Sequence, residues 1–240
     1  MKVASYNIHK CRGMDGRTRP DRILQVVKEL DADLIALQEV DRRFGRKDGL
    51  LDPEAIQRET GMRLLVQSDL PDGHGWHGNA LLVRVEPKAY RRLRLRLPGF
   101  EPRGAIVAEL DLGDGEFRVI AAHLGLLRQS RLDQASALLK LHRELAPMPT
   151  ILMGDFNEWR SRRRSALRVL EPTFGGAATP RSFPSRQPIF ALDRILGWPD
   201  GLVSDLAVHK SPLARLASDH LPLTARTRLA PGRARREAAM

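Results

Sequence analysis

Residues 150–157 read TILMGDFN and join an apolar, β-branched run to a polar end. Runs of this composition are typical of buried strands. Pro147 and Pro149 precede the run and end the helical pattern that comes before it. Asp155 and Asn157 lie two residues apart in an extended segment, so their side chains share a face. The stretch therefore predicts a strand whose end carries residues suited to metal or phosphate chemistry.

Similar apolar runs recur along the chain and outnumber the helical patterns, which indicates a layered α/β arrangement. The other predicted strands are Lys2–Ile8, Asp33–Val40, Asn79–Val85, Ala105–Leu112, Phe117–Leu124, Ala191–Leu196, Leu202–Val208 and Leu221–Leu229. Arg92–Leu97 alternates Arg with Leu, a pattern that favours an exposed or edge strand. The predicted helices are Pro20–Leu30, Pro53–Thr60, Ser130–Leu145 and Ser161–Leu170.

The 240-residue chain is 42% hydrophobic and 29% charged, a globular composition that excludes a disordered chain. Its net charge of +11 suits a polyanionic partner or an anionic membrane surface without choosing between them. Cys11 is the only cysteine, so a disulfide within the chain and a cysteine-based zinc site are excluded. Residues 1–7 show no apolar signal segment and no run is long enough to cross a membrane, so a cytoplasmic protein is expected.

Polar residues stand at the ends of successive apolar runs. Asn7 ends the first run, Glu39 the second and His123 a later one. Asp193 lies within the run Leu192–Ile195, and Asp219 with His220 precedes the last run. One such residue is usually a turn or cap residue. So many on successive elements favour a shared ligand site at one edge of the sheets.

These strings resemble the endonuclease/exonuclease/phosphatase superfamily, in order and over nearly the whole chain. The matching strings are Ser5–His9, Leu37–Val40, His77–Ala80, Ala122–Leu124, Gly154–Asn157, Leu192–Ile195 and Ser218–Pro222. The resemblance implies a four-layered sandwich of two mixed β-sheets flanked by helices. Residues 1–229 are then expected to form the catalytic domain, and residues 230–240 a basic flexible tail.

The resemblance also implies metal-assisted hydrolysis of a phosphate ester. Glu39, Asn7 and Asp219 would hold the metal or its water shell. Because these ligands are oxygen atoms, Mg²⁺ or Mn²⁺ is expected rather than zinc.

Five further residues are expected to do the chemistry beside that metal. Asp155 would orient or deprotonate the attacking water, and Asn157 would donate to the phosphate. His220 would bind a phosphoryl oxygen or transfer a proton, with Asp193 orienting its ring. His123 would flank the phosphate from the other side.

Asn79 and Arg103 are the candidate phosphate contacts, Arg103 through its two-pronged guanidinium. The alternative for Arg103 is an ordinary surface charge, because a single arginine carries little information. The partner expected is a phosphodiester substrate, and a monomer is expected.

Three functions remain open from the sequence. The first is a phosphodiesterase for a phospholipid or small phosphodiester, reached through a transient contact with an anionic membrane. Five residues are candidates either for an exposed apolar rim at that contact or for the core: Trp159, Phe183, Ile189, Phe190 and Trp198.

The second is a DNA or RNA nuclease, and the third is a catalytically inactive module that binds polyanions. The arginines at 160, 162, 163 and 164 favour nucleic acid, although a solvated helix face is the plainer interpretation. Against a nuclease, aromatic residues are only 5% of the chain and offer few surfaces on which bases stack. The inactive module is disfavoured because every expected site position is filled.

Overall fold

The computed structural model describes residues 1–41, 49–65, 74–113, 115–160, 164–176 and 179–229, the side chains of residues 89 and 92 excepted. In these residues the strands are β1 (Lys2–Asn7), β2 (Leu34–Gln38), β3 (Arg63–Leu65), β4 (Ala80–Val83), β5 (Ala89–Leu97), β6 (Arg103–Asp111), β7 (Glu116–His123), β8 (Thr150–Asp155), β9 (Asp193–Trp198), β10 (Val203–Val208) and β11 (Leu223–Thr227). The α-helices are α1 (Pro20–Leu30), α2 (Pro53–Thr60), α3 (Arg128–Glu144), α4 (Glu171–Phe174) and α5 (Pro212–Ala217), with 3₁₀ turns at His9–Cys11 and Ala166–Leu170.

The strands form two mixed sheets that pack face to face. One sheet has the order β10-β11-β1-β2-β4-β3, and the other has the order β5-β6-β7-β8-β9. An apolar core lies between the sheets and includes Ile106, Met153 and Leu223. The first sheet packs its outer face on α1, α2 and α5, and the second packs on α3. This confirms the four-layered sandwich.

The register of the sheets carries the predicted site residues to one edge of the sandwich. In the second sheet, parallel β7 and β8 pair His123 with Asp155, and antiparallel β9 pairs Asp193 with the same Asp155. In the first sheet, parallel β1 and β2 end together, with Asn7 opposite Gln38. The ends of parallel strands and the start of an antiparallel neighbour meet at one edge, which explains how residues distant in sequence converge.

Gly154 lets β8 reach this edge beside β7. Its φ of +146° lies in a region that L side chains rarely adopt. A Cβ at this position would lie 1.8 Å from the carbonyl oxygen of Ala122 on β7. Glycine is therefore required for the close approach that places Asp155 next to His123.

Most predicted elements are confirmed, including Arg92–Leu97, which belongs to the edge strand β5. The predicted helix Ser161–Leu170 is wrong over its described end, because only a 3₁₀ turn forms at Ala166–Leu170, after Ser165. The sequence analysis missed β3, α4 and α5. The predicted tail, residues 230–240, lies outside the described residues. Among the helices of the described chain, none combines the length and apolar character needed to cross a membrane.

Candidate active site

A cavity of about 420 Å³ opens at the edge where these strands end. It is lined by Asn7, Lys10, Glu39, Asp41, His77, Gly78, Glu101, Pro102, Arg103, His123, Leu126, Asp155, Asn157, Phe183, Leu192, Asp219 and His220. This volume lies within the range of pockets that hold small ligands. The structure thus brings eight of the ten predicted site residues to one cavity wall, and a ninth, Asp193, contacts His220 from beneath.

Asp155 is the buried carboxylate at the centre of the cavity floor. Its Oδ2 accepts from Asn7 Nδ2 at 2.9 Å and lies 3.4 Å from His123 Nε2 and 3.6 Å from His220 Nε2. Its Oδ1 accepts from the backbone N–H of Asn157 at 2.9 Å. Burial alone would raise the pKa of Asp155, but the two histidines and these hydrogen bonds lower it below its usual value. Asp155 is therefore ionised at neutral pH.

His220 lies between two buried carboxylates. Its Nδ1 donates to Asp193 Oδ2 at 3.0 Å, while Nε2 faces Asp155. Burial alone would lower the pKa of His220, but Asp193 and Asp155 raise it to about 10. Ser182 Oγ donates to the same Asp193 oxygen, and the Phe183 ring packs 4.8 Å from the imidazole. At neutral pH, His220 is a fixed imidazolium with two N–H donors.

His123 lies on the other side of Asp155, and its pKa is shifted in the opposite direction from that of His220. Burial lowers the pKa of His123 to about 4, and the nearby Arg103 charge acts in the same direction. Arg103 Nη1 lies 3.2 Å from Nδ1 of the ring. Because a guanidinium can only donate, Nδ1 must accept, and the ring proton is assigned to Nε2, which faces Asp155. His123 is therefore a neutral imidazole at pH 7.

The cavity thus holds one charged and one neutral histidine on either side of an ionised carboxylate. Environments that push the pKa values of neighbouring groups apart are the means by which a site separates acid and base roles. Here Asp155 and neutral His123 can hold and orient a water, and the His220 imidazolium can donate to a developing negative charge.

Glu39 is another carboxylate in the cavity lining. It follows β2 directly and has a φ of +59°, a left-handed conformation that is uncommon for residues other than glycine. Burial alone would raise the pKa of Glu39, but His123 and the Lys10 ammonium lower it. The Lys10 Nζ atom forms an ion pair with Glu39 Oε2. The carboxylate is therefore ionised and already pairs with a positive charge.

Glu39, Asn7 and Asp219 are the residues predicted to hold a divalent cation. All three line the same cavity and offer oxygen atoms. Asn7 Oδ1 is directed by the backbone N–H of His9 at 3.0 Å, and Asp219 Oδ1 lies 3.7 Å from His9 Nδ1. The Lys10 ammonium on Glu39 shows that the position accepts a cation.

A second group of potential ligands, Asp155, Asp193 and His220, also brings its donor atoms close together. This group fits a metal less well than Glu39, Asn7 and Asp219 do. A histidine must be neutral to bind a metal, whereas His220 has a pKa of about 10 between the two carboxylates. The hydrogen bond from His220 Nδ1 occupies one oxygen of Asp193 without an ion.

Asn79 is the predicted site residue that the structure does not bring to the cavity wall. It is fully buried, and its Nδ2 donates to the carbonyl oxygens of Trp76 at 3.1 Å and Gly104 at 3.0 Å. Its side chain therefore ties the turn before β4 to the start of β6, next to Arg103. It holds the cavity wall in place rather than facing a phosphate.

The sequence analysis missed two residues that serve the site. Lys10 faces Glu39, and Glu101 holds Arg103 through a hydrogen bond of 3.0 Å from Nη2. Glu101 is also fixed by the backbone N–H of Leu126 at 2.7 Å. The available signal was their position, because each lies within three residues of a predicted site residue.

The two-sheet sandwich and this cavity define an α/β protein with a carboxylate and imidazole site at one sheet edge. The model of the Endonuclease/Exonuclease/phosphatase family matches residues 4–220. The chain belongs to this family, whose members are phosphoric ester hydrolases.

Named relatives and solved structures agree with this assignment. The chain is 30% identical to "Uncharacterized protein YbhP" of Escherichia coli K12, over 95% of this chain and 96% of that protein. The Bacteroides thetaiotaomicron mannosyl-6-phosphatase Bt3783 has a similar fold, with a TM-score of 0.68, 18% identity, and coverage of 95% of this chain and 100% of that one. So does D. rerio TDP2 complexed with single-strand DNA product, with a TM-score of 0.66, 17% identity, and coverage of 94% and 97%.

Proposed function

We propose that this chain is a Mg²⁺- or Mn²⁺-dependent phosphodiesterase that hydrolyses a phosphate ester by attack of water. The observation that carries the proposal is the protonated His220 and neutral His123 on either side of ionised Asp155, in the cavity that also contains Glu39. Phosphoryl transfer needs positioning and charge stabilisation more than covalent chemistry, and this arrangement supplies both.

Each residue has a role in that reaction. Asp155 and His123 orient the attacking water, and Asp155 accepts its proton. The Nε2–H of His220 donates to a phosphoryl oxygen, while Asp193 keeps the ring charged and aligned. A divalent cation held by Glu39, Asn7 and Asp219 would neutralise the phosphoryl oxygens and activate water.

Two residues complete the proposed phosphate contacts. The amide of Asn157 donates to the carbonyl oxygen of Leu124 at 2.9 Å, which fixes the side chain at the cavity wall with a second N–H left for a phosphate. Arg103 adds a positive charge on the His123 side. Asn79 is not part of this set.

For the substrate, we favour a phospholipid or small phosphodiester because exposed apolar side chains lie in and next to the cavity lining. Leu126 lines the cavity and is 58% exposed, and neighbouring Leu127 is 53% exposed. Phe183 also lines the cavity, and the backbone N–H of Ile189, itself 51% exposed, donates to the carbonyl oxygen of Phe183. An apolar rim of this kind suits an interface with lipid.

The sequence left Trp198 open between the rim and the core, and its contacts place it in the core. Trp198 lies on β9, and its ring packs 5.2 Å from that of buried His142. It therefore belongs to the packing beneath the second sheet rather than to the rim.

A nuclease remains the second candidate, because Trp159 is 48% exposed with the Arg160 guanidinium over its ring at 4.9 Å. An exposed aromatic ring beside a cation suits a nucleic acid base and its phosphate. Of the arginine cluster, residues 162 and 163 lie outside the described residues. The DNA product in the TDP2 complex belongs to that protein, whose likeness to this chain is one of fold.

The test is hydrolysis of a mixed phospholipid dispersion and of single-stranded DNA in parallel, with Mg²⁺, Mn²⁺ or EDTA. We expect headgroup release that needs the metal and falls at least about 10²-fold in Glu39→Ala and Asp155→Asn. Glu116→Ala removes an exposed carboxylate on β7, far along the strand from His123, and should leave the rate unchanged.

The outcomes separate the candidates. DNA cleavage that disappears in Glu39→Ala, with lipid intact, would make the protein a nuclease. Full activity of Glu39→Ala would contradict the mechanism. Tight binding of either substrate without turnover would support the inactive polyanion-binding module.

A further inference from the structure

Lys10 lies in an unusual backbone segment directly after β1. His9, Lys10 and Cys11 have φ values of +46°, +54° and +60°, three successive left-handed residues of which none is glycine. Such conformations cost free energy and persist only where the surroundings impose them. Local contacts do so here: the backbone N–H of His9 donates to Asn7 Oδ1, and that of Cys11 donates to the Ile8 carbonyl oxygen at 2.8 Å.

This segment directs Lys10 into the cavity. The buried Cys11 anchors one side of the segment, and the ammonium of Lys10 reaches Glu39 as an ion pair. The Lys10 side chain is 36% exposed, and that of Glu39 is 22% exposed. The pair is thus open enough for the lysine to leave, because its long flexible stem can carry the ammonium elsewhere in the cavity.

Two cations at the Glu39 carboxylate oppose each other's binding at close range. A divalent ion beside an ammonium a few ångströms away would be strongly repelled. The metal would therefore have to displace the Lys10 ammonium from Glu39, which makes metal binding an exchange of one cation for another.

We propose that Lys10 is a built-in cation that competes with the divalent metal for Glu39 and thereby sets the metal affinity of the site. This inference rests on the metal site of the proposed function and deepens it. Without metal, the Lys10 ammonium neutralises the half-enclosed Glu39 carboxylate. With metal bound, the released ammonium remains at the wall of a cavity that receives an anionic substrate.

The experiment is calorimetric titration of the full chain, stripped with EDTA and dialysed, with MnCl₂ in the absence of substrate. Lys10→Met removes the competing charge with a side chain of similar length. Lys10→Arg keeps the charge. Lys28→Met removes the same charge from an exposed position on α1 and serves as the matched control.

We expect Lys10→Met to bind Mn²⁺ about fivefold more tightly than the parent, the size expected for loss of one partly exposed ion pair. Lys28→Met and Lys10→Arg should bind no more tightly than the parent. In a Glu39→Gln background, where the carboxylate is absent, Lys10→Met should have no such effect.

Thermal unfolding distinguishes this role from simple folding support. Saturating Mn²⁺ should raise the melting temperature of Lys10→Met by more than it raises that of the parent, because tighter ligand binding stabilises the native state further. A Mn²⁺ affinity of Lys10→Met equal to or weaker than that of Lys28→Met would overturn the proposal for Lys10 alone. If none of the proteins binds Mn²⁺, the metal site of the proposed function fails with it, and the two failures are thus distinguishable.

Discussion

Replacing Asp193 with Asn tests whether carboxylates keep His220 protonated. The exchange preserves the shape of the side chain and an oxygen that can accept from Nδ1, but it removes a negative charge 3.0 Å from that nitrogen. At an effective dielectric constant of about 20, two unit charges at this distance interact by about 5 kcal/mol, which is an upper limit of about four pKa units. Asp155 at 3.6 Å still favours the charged form.

We therefore expect the pKa of His220, about 10 in the parent, to fall by at least about two units in Asp193→Asn. The assay is nitrogen NMR of the imidazole rings in metal-free protein between pH 5 and pH 10. Asp200→Asn removes an exposed carboxylate and is the matched control. His123, with a pKa of about 4, should stay neutral throughout in all three proteins.

The same change predicts a pH-dependent loss of stability. A histidine whose folded pKa lies above its unfolded value stabilises the fold fully below about pH 6.5, and this contribution is lost as pH rises through the folded pKa. The difference in unfolding free energy between parent and Asp193→Asn should thus be largest near pH 6 and shrink toward pH 10. An unchanged His220 titration in Asp193→Asn would refute the assignment of the charge to these carboxylates.

Two further predictions concern the scaffold. Gly154→Ala should lower the unfolding free energy in urea by about 3 kcal/mol, because strain and the clash with Ala122 add; Gly113→Ala, at φ +116° with open space around it, should cost about 1 kcal/mol. Equal losses of unfolding free energy in the two variants would show that the close approach of β7 and β8 does not require glycine at position 154. Burial lowers the pKa of His142, so protonation opposes folding, and the parent should lose stability as pH falls below about 6.5. His142→Phe should lose less over the same range in urea titrations, and parallel pH profiles would contradict this.

The strands could be predicted from local patterns, and the four-layered sandwich and the site residues from the resemblance to the family. Apolar runs such as Phe117–Leu124 are buried on both faces, and they end where polar residues begin. The family strings then placed Glu39, Asp155 and His220 in one site.

The missed features depend on tertiary contacts. Asn79 has the residue type of a phosphate ligand, but its amide group donates to the carbonyl oxygens of Trp76 and Gly104. The residue type alone does not reveal these backbone contacts. Lys10 resembles any exposed lysine until the left-handed backbone of residues 9–11 turns it toward Glu39. The opposite charge states of His123 and His220 likewise follow from burial and neighbours, which no periodicity records.

The pairing of His123, Asp155 and Asp193 across three adjacent strands ties the chemistry of this protein to its core. Successive side chains alternate between the two faces of a sheet, so a slip of β8 by one residue would turn Asp155 away and expose its buried neighbours at once. Selection for a stable core therefore also preserves the reacting groups. The segments around Leu126 and Ile189 lie outside these strands. Under the proposed function, side-chain substitutions in these segments would change the rim that faces the substrate without replacing the residues proposed to react.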